Sequence, residues 1–209
     1  MDKYFLCKYK PELKLKFPHK TICVVSNKLD LKRNYSKFVD SCDCVVRTGK
    51  ACNINTGLAG SKLDIMGLSL PPLYWSFNEE RRHIKEIRER AKVLLFLGIY
   101  FQQRDFFTKS QNIVGKQIEQ LKPLPLKDYS HFCAVTSTLF YITACFPKSK
   151  IYFLGDVDTE TRIADSWNPN HMGQEDWILK DLIDRGKVIH ILEDDKTENF
   201  KYSETLIKK

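Results

Sequence analysis

No stretch of this 209-residue chain approaches the roughly 18 to 20 consecutive apolar residues that a membrane-spanning helix requires. The amino-terminal MDKYFLCKYK lacks the long apolar core of a secretory signal. Together the two absences predict a cytoplasmic protein. Metal-type cysteine spacing is missing too. The seven cysteines (Cys7, Cys23, Cys42, Cys44, Cys52, Cys133 and Cys145) include no CxxC pair, are odd in number and fall largely within apolar runs. Free, buried thiols in a reducing compartment are expected, and Cys42-x-Cys44 alone does not make a metal site.

Acidic residues are also in deficit: 26 Asp and Glu face 34 Lys and Arg, for a net charge of +8 and a pI near 9.0. The basic residues gather at Lys8 to Lys20, at Arg81 to Arg90, and at Lys208 with Lys209. Those around Arg81 alternate with Glu79, Glu80, Glu86 and Glu89, as on a solvated helix face. The amino-terminal lysines have no such partners. Ordinary solubility, nucleic-acid binding and attraction to an acidic surface compete as readings, and charge alone does not choose among them. An anionic membrane met peripherally, or an anionic glycan, can meet these lysines, and no nucleic acid is expected.

With 43% hydrophobic residues, 209 residues suffice for one substantial core. Helix-like and strand-like segments alternate along it. That predicts a single α/β domain, Rossmann-like, with a mostly parallel sheet flanked by helices. Residues 1–20 carry Pro11 and Pro18 and read as an irregular lead-in, 21–192 as the core, and 193–209 as a polar tail.

The core is organised around Thr21 to Ser69. Three short apolar runs, Ile22 to Val25, Cys44 to Val46 and Leu63 to Met66, alternate with polar segments bearing Asn and Gly. Such runs read as buried strands. Each ends in residues able to touch a ligand: Ser26 and Asn27, then Arg47, Thr48 and Gly49, then Ser69. Polar groups at the carboxyl ends of parallel strands line the crevice where open α/β sheets bind ligands. Arg47 suits a bidentate contact to phosphate or carboxylate, and equally a strand-end ion pair with Asp40, Asp43 or Asp64. Asp64 reads as a brace for the glycine loop.

Farther on, Phe77, Ile84, Ile87 and Ala91 share a helical face, and KVLLFLG (92–98) reads as a strand. Tyr100 to Leu121 reads as one or two helices, and 121–131 as a loop. Val135-Thr136-Ser137-Thr138 opens an apolar helix that Pro147 stops, and its amides and hydroxyls can hold a phosphate. Ile151 to Leu154 is a further strand, ending at Gly155 and Asp156. Asn168 to Gly186 contains a helix with Ile178, Leu179, Leu182 and Ile183 on its apolar stripe, and His171 stands just upstream.

These residues carry a resemblance. Asn27, Asp40, Asp43, Val45, Val46, Arg47, then Thr56, Gly57, Gly60, Ser61, Lys62 and Asp64 resemble the large nucleotide-binding motif of CMP-sialic acid sialyltransferases. Thr136, Ser137 and Gly155 are similar to the family's small motif. His171, an acidic residue at 175 or 176, Gly186 and Lys187 follow in the family's order. Ser26, Gly49 and Val135 stand where the family usually has Gly, Asn and Pro or Gly.

The resemblance implies a soluble, bacterial-type glycosyltransferase of surface polysaccharide biosynthesis. It would move sialic acid or a related 2-keto sugar acid from a CMP-activated donor to a glycan acceptor, including a lipid-linked one. It implies His171 as catalytic base, with His131 in reserve, and neither cofactor nor metal. The nucleotide contacts expected are Ser26, Asn27, Arg47, Thr48, Gly49, Thr136, Ser137, Thr138, Gly155 and Asp156. His19, His83 and His190 read as structural. Asp156-x-Asp158 admits another enzyme, a transferase that holds a divalent metal against a nucleoside-diphosphate sugar. A non-catalytic nucleotide- or glycan-binding protein on the same scaffold is the remaining alternative.

Overall fold

A computed structural model of the chain describes residues 13, 15–26, 31, 33–48, 54, 57–68, 90–96, 117–120, 134–155 and 176–191. In chain order the elements are β1 (Thr21–Val25), α1 (Ser36–Ser41), β2 (Cys44–Thr48), β3 (Ile65–Leu68), β4 (Val93–Phe96), β5 (Gln117–Gln120), α2 (Ala134–Cys145), β6 (Lys150–Leu154), α3 (Asp176–Asp184) and β7 (Ile189–His190). The strands form one sheet in the order β5-β4-β3-β2-β1-β6-β7. Every pairing is parallel. This is the Rossmann-like α/β arrangement expected.

The apolar runs are continuous because both faces of the sheet are covered. On one face Ile22, Val24, Cys44, Val46, Ile65 and Phe153 pack with residues of α2 and α3. On the other, Cys23, Val25, Val45, Tyr152 and Leu154 meet Phe38 and Val39 of α1. Lead-in residues Leu13, Leu15 and Phe17 join the first of these cores. The connection after β1 therefore uses one face, and those before and after β6 use the other. β1 and β6 lie side by side between these opposite windings, so the switch point of the topology falls at their carboxyl ends.

Two readings of the sequence are corrected here. Gln117–Gln120 is a strand, not part of a helix. Gln and Glu favour helix in isolation, but β4 presents open backbone donors and acceptors, and pairing with them outweighs that preference. The helix read as opening at Thr136 starts at Ala134, so the hydroxyl residues occupy its first turns rather than a cap. Among the described residues, no helix is long and apolar enough to cross a membrane.

Candidate functional site

Much of the polar chemistry around Asp40 to Asp64 is bonded to itself. Asp40 accepts the Ser61 amide at 2.9 Å and the Lys62 amide at 2.8 Å. Gly60 passes so close that a methyl group there would lie 2.8 Å from Asp40 Cγ and 3.1 Å from the Ser36 carbonyl, and its φ is +71°. Only glycine fits both conditions. Arg47 is completely buried on the α1 face of β2. Its Nη2 donates to the carbonyls of Ala59 at 2.7 Å and Gly60 at 2.8 Å, and its Nε to that of Lys62 at 3.0 Å. Burial pulls its pKa down to about 10, which leaves it protonated at neutral pH. The guanidinium thus braces the glycine loop from inside.

Asp64 does different work from that expected. Its carboxylate accepts the Val45 amide at 2.9 Å and the Lys92 ammonium at 2.7 Å, tying β2, β3 and β4 together at their amino ends. The carboxylate that holds the glycine loop is Asp40. The difference is one of direction: Asp64 precedes β3 and is fixed by strand pairing, whereas Asp40 closes α1 beside the loop.

A second set of contacts lies at the other edge. The Ser26 amide donates to the Leu154 carbonyl at 2.9 Å, joining the ends of β1 and β6 at the switch point. Gly155 follows at once. A methyl group on Gly155 would overlap the Phe153 ring and come within 2.8 Å of Ser26 Cβ, so the two chain exits approach as closely as backbone permits. His190 of β7 reaches across to them: its Nε2–H donates to the Gly155 carbonyl at 2.6 Å, and its ring stacks on Phe153 at 5.5 Å. The residue pattern read His190 as structural, which its burial fits. What it did not indicate is the place, because a two-residue strand and a contact spanning 35 positions leave no local signature.

Thr48 ends β2 on the α2 face, and its buried hydroxyl donates to the Val25 carbonyl at 3.4 Å. β5 and β6 run in parallel, so the helix between them must start at the carboxyl edge and run back. Its first turns carry Thr136 (buried), Ser137 (half-buried) and Thr138 (fully buried). The Thr138 hydroxyl has no hydrogen-bond partner. A buried hydroxyl without a partner is uncommon and costs stability.

Ser26, Thr48, Gly155 and the hydroxyls of α2 therefore share one edge of the sheet, while Arg47 sits beneath it against the glycine loop. Asn27, Gly49, Asp156 and His171 lie outside the described residues, as do Ser69, His131 and Asp158. Among the described residues, no cluster of His, Cys, Asp and Glu could hold a metal ion. Cys23, Cys42, Cys44 and Cys145 are free thiols, the first three buried. A hydrogen bond with Cys42, reinforced by burial, raises the Cys23 pKa well above its usual value; burial does the same for Cys44. Neither is a reactive thiolate.

No family model and no curated protein sequence matches this chain. Its functional reading accordingly rests on the site and on the motifs.

Proposed function

We propose that the protein is a glycosyltransferase that binds a CMP-activated sialic acid, or a related 2-keto sugar acid, at the carboxyl ends of β1 and β6. The observation that carries this reading is the close approach of Ser26 and Gly155 at the switch point, with the hydroxyl-bearing start of α2 on the same edge. A helix start offers free amides and a favourable dipole to a phosphate. CMP leaves with one phosphate, which such donors can neutralise without a metal. In this reading Arg47 acts through the glycine loop, and His171 takes the proton from the acceptor hydroxyl, work that suits an imidazole with a pKa near 6.5.

Thermal unfolding with CMP, CDP, UDP and GDP, each with and without magnesium or manganese, tests the donor. CMP at about 100 times its dissociation constant is expected to stabilise the protein by about 2.7 kcal/mol without metal. His171→Ala is then expected to lower sugar transfer about 100- to 10,000-fold while leaving CMP affinity unchanged. Tight CMP binding without transfer or donor hydrolysis, across a broad acceptor panel, would leave a binding module.

One observation favours a second reading. In the sequence, Asp156-Val157-Asp158 follows Gly155, the residue after β6. Stabilisation only by UDP or GDP with manganese would make the protein a metal-dependent nucleoside-diphosphate-sugar transferase instead.

A further inference from the structure

Two lysines of the amino-terminal lead-in, Lys16 and Lys20, lie away from the β1–β6 crevice and join others where the chain enters the sheet. Lys16 and Lys20 lead into β1, Lys148 and Lys150 open β6, and Lys187 precedes β7; all are exposed. The Lys150 amide donates to the Lys20 carbonyl at 2.9 Å. Extending the β6–β7 register back from Tyr152↔Ile189 sets Lys187 beside Lys150. None of these lysines has a carboxylate partner among the described residues.

The acids of the same edge are engaged elsewhere. Asp43 accepts the amide and hydroxyl of Thr21, Asp64 is buried on Lys92 and the Val45 amide, and Asp181 binds Arg185. Among the described residues, Asp184 alone stands exposed nearby without a partner. Lys92, before β4, is neutralised by Asp64, so the unpaired row runs from β1 to β7, and at ~4.8 Å per strand that is roughly 10 Å.

We propose that this amino edge docks on the surface of an anionic phospholipid bilayer. The groups present choose that partner over a nucleic acid. The row is made of ammonium point charges, since Arg185 and Arg90 are already bonded to Asp181 and to the Ser61 carbonyl. Among the described residues of this edge, no guanidinium is offered unbonded to a base edge or a phosphate. The aromatic rings are turned inward: His19 packs on Phe146 at 4.7 Å, and Phe17 lies under the Lys92 ammonium at 4.8 Å. Among the described residues of this edge, no stacking platform for bases is therefore exposed. Diffuse positive charge without shaped recognition suits fluid lipid headgroups, toward which each lysine near the surface adds a fairly uniform attraction. Docking this way leaves the β1–β6 crevice on the opposite edge open to the aqueous phase, although the proposal does not depend on what that crevice binds.

Co-sedimentation of the full chain with vesicles of phosphatidylcholine, with and without phosphatidylserine, tests it. Partitioning is expected only with phosphatidylserine and should disappear at about 1 M salt, where screening acts within ~3 Å. Lys148→Ser with Lys150→Ser should weaken it about 20- to 30-fold. The same charge change at exposed Lys37 and Lys180, on the helices covering the two faces, should alter it less than about threefold. Both double variants should melt with the wild type, because none of these side chains is bonded. No binding to anionic vesicles, equal losses in the two double variants, or displacement from vesicles by duplex DNA or heparin at matched charge would overturn the proposal.

Discussion

The two edges of this one sheet are built on opposite terms. At the amino edge, side chains close on one another: Asp43 with Thr21, Asp64 with Val45 and Lys92, Lys62 with the carbonyls of Cys42 and Asp43. Nearly every carboxylate there already has its donors. At the carboxyl edge the pattern reverses. Backbone is brought together at Ser26 and Gly155, while hydroxyls are left half-exposed at Ser137 or without a partner at Thr138. The first arrangement stabilises. The second leaves the Thr138 hydroxyl unbonded, at a cost the braced edge can offset. Arg47 apart, polar residues of one motif thus differ in how fully they are bonded according to which end of a strand they reach.

Arg47 gives the sharpest way to break that contrast, because it stands near the carboxyl edge yet is bonded like the frame. Arg47→Leu would leave the Ala59, Gly60 and Lys62 carbonyls buried without their donor and should destabilise the protein by about 3–5 kcal/mol in urea unfolding. Arg47→Lys should recover little, since an ammonium cannot span three carbonyls as the planar fork does. A loss below about 1 kcal/mol, with nucleotide affinity abolished, would move Arg47 from frame to ligand contact.

Gly155→Ala probes the crevice itself. The added methyl must displace the Phe153 ring or Ser26, at a cost of about 1–3 kcal/mol. Affinity for CMP should fall along with stability, since the same shift parts the ends of β1 and β6. Titration of CMP at a temperature where the variant stays folded separates the two effects. Affinity equal to the wild type would place the ligand away from the switch point.

The smallest effect carries the opposite sign. Thr138→Val removes a buried hydroxyl that has no partner and keeps the side-chain shape, so it should stabilise the free protein by about 1 kcal/mol. If the hydroxyl serves the site, the same change weakens CMP binding. A gain in melting temperature with unchanged affinity would make it an incidental core defect.

Much of the fold was legible in the residues. The apolar runs at 22–25, 44–46 and 151–154 are fully buried strands, and alternation of runs with helical stripes implied a parallel sheet. Gln117–Gln120 was not legible, because an edge strand of helix-favouring residues is created by its neighbour. The candidate site was legible by residue type at strand ends and helix starts. Which carboxylate holds the glycine loop was not: Asp40 and Asp64 stand equally well in the same motif, and only their directions in space separate them.

By itself the sequence determined a buried parallel sheet, the need for glycine at the tight approaches, and an excess of lysine. The tertiary structure decided what those residues face. It set β1 beside β6, although 129 positions separate the register partners Val25 and Leu154. It carried His190 to Gly155 and gathered lysines from distant segments onto one edge. The reason is physical. A strand's pattern records whether its faces are buried, but not which strand becomes its neighbour; that choice belongs to packing and crossover geometry across the whole chain.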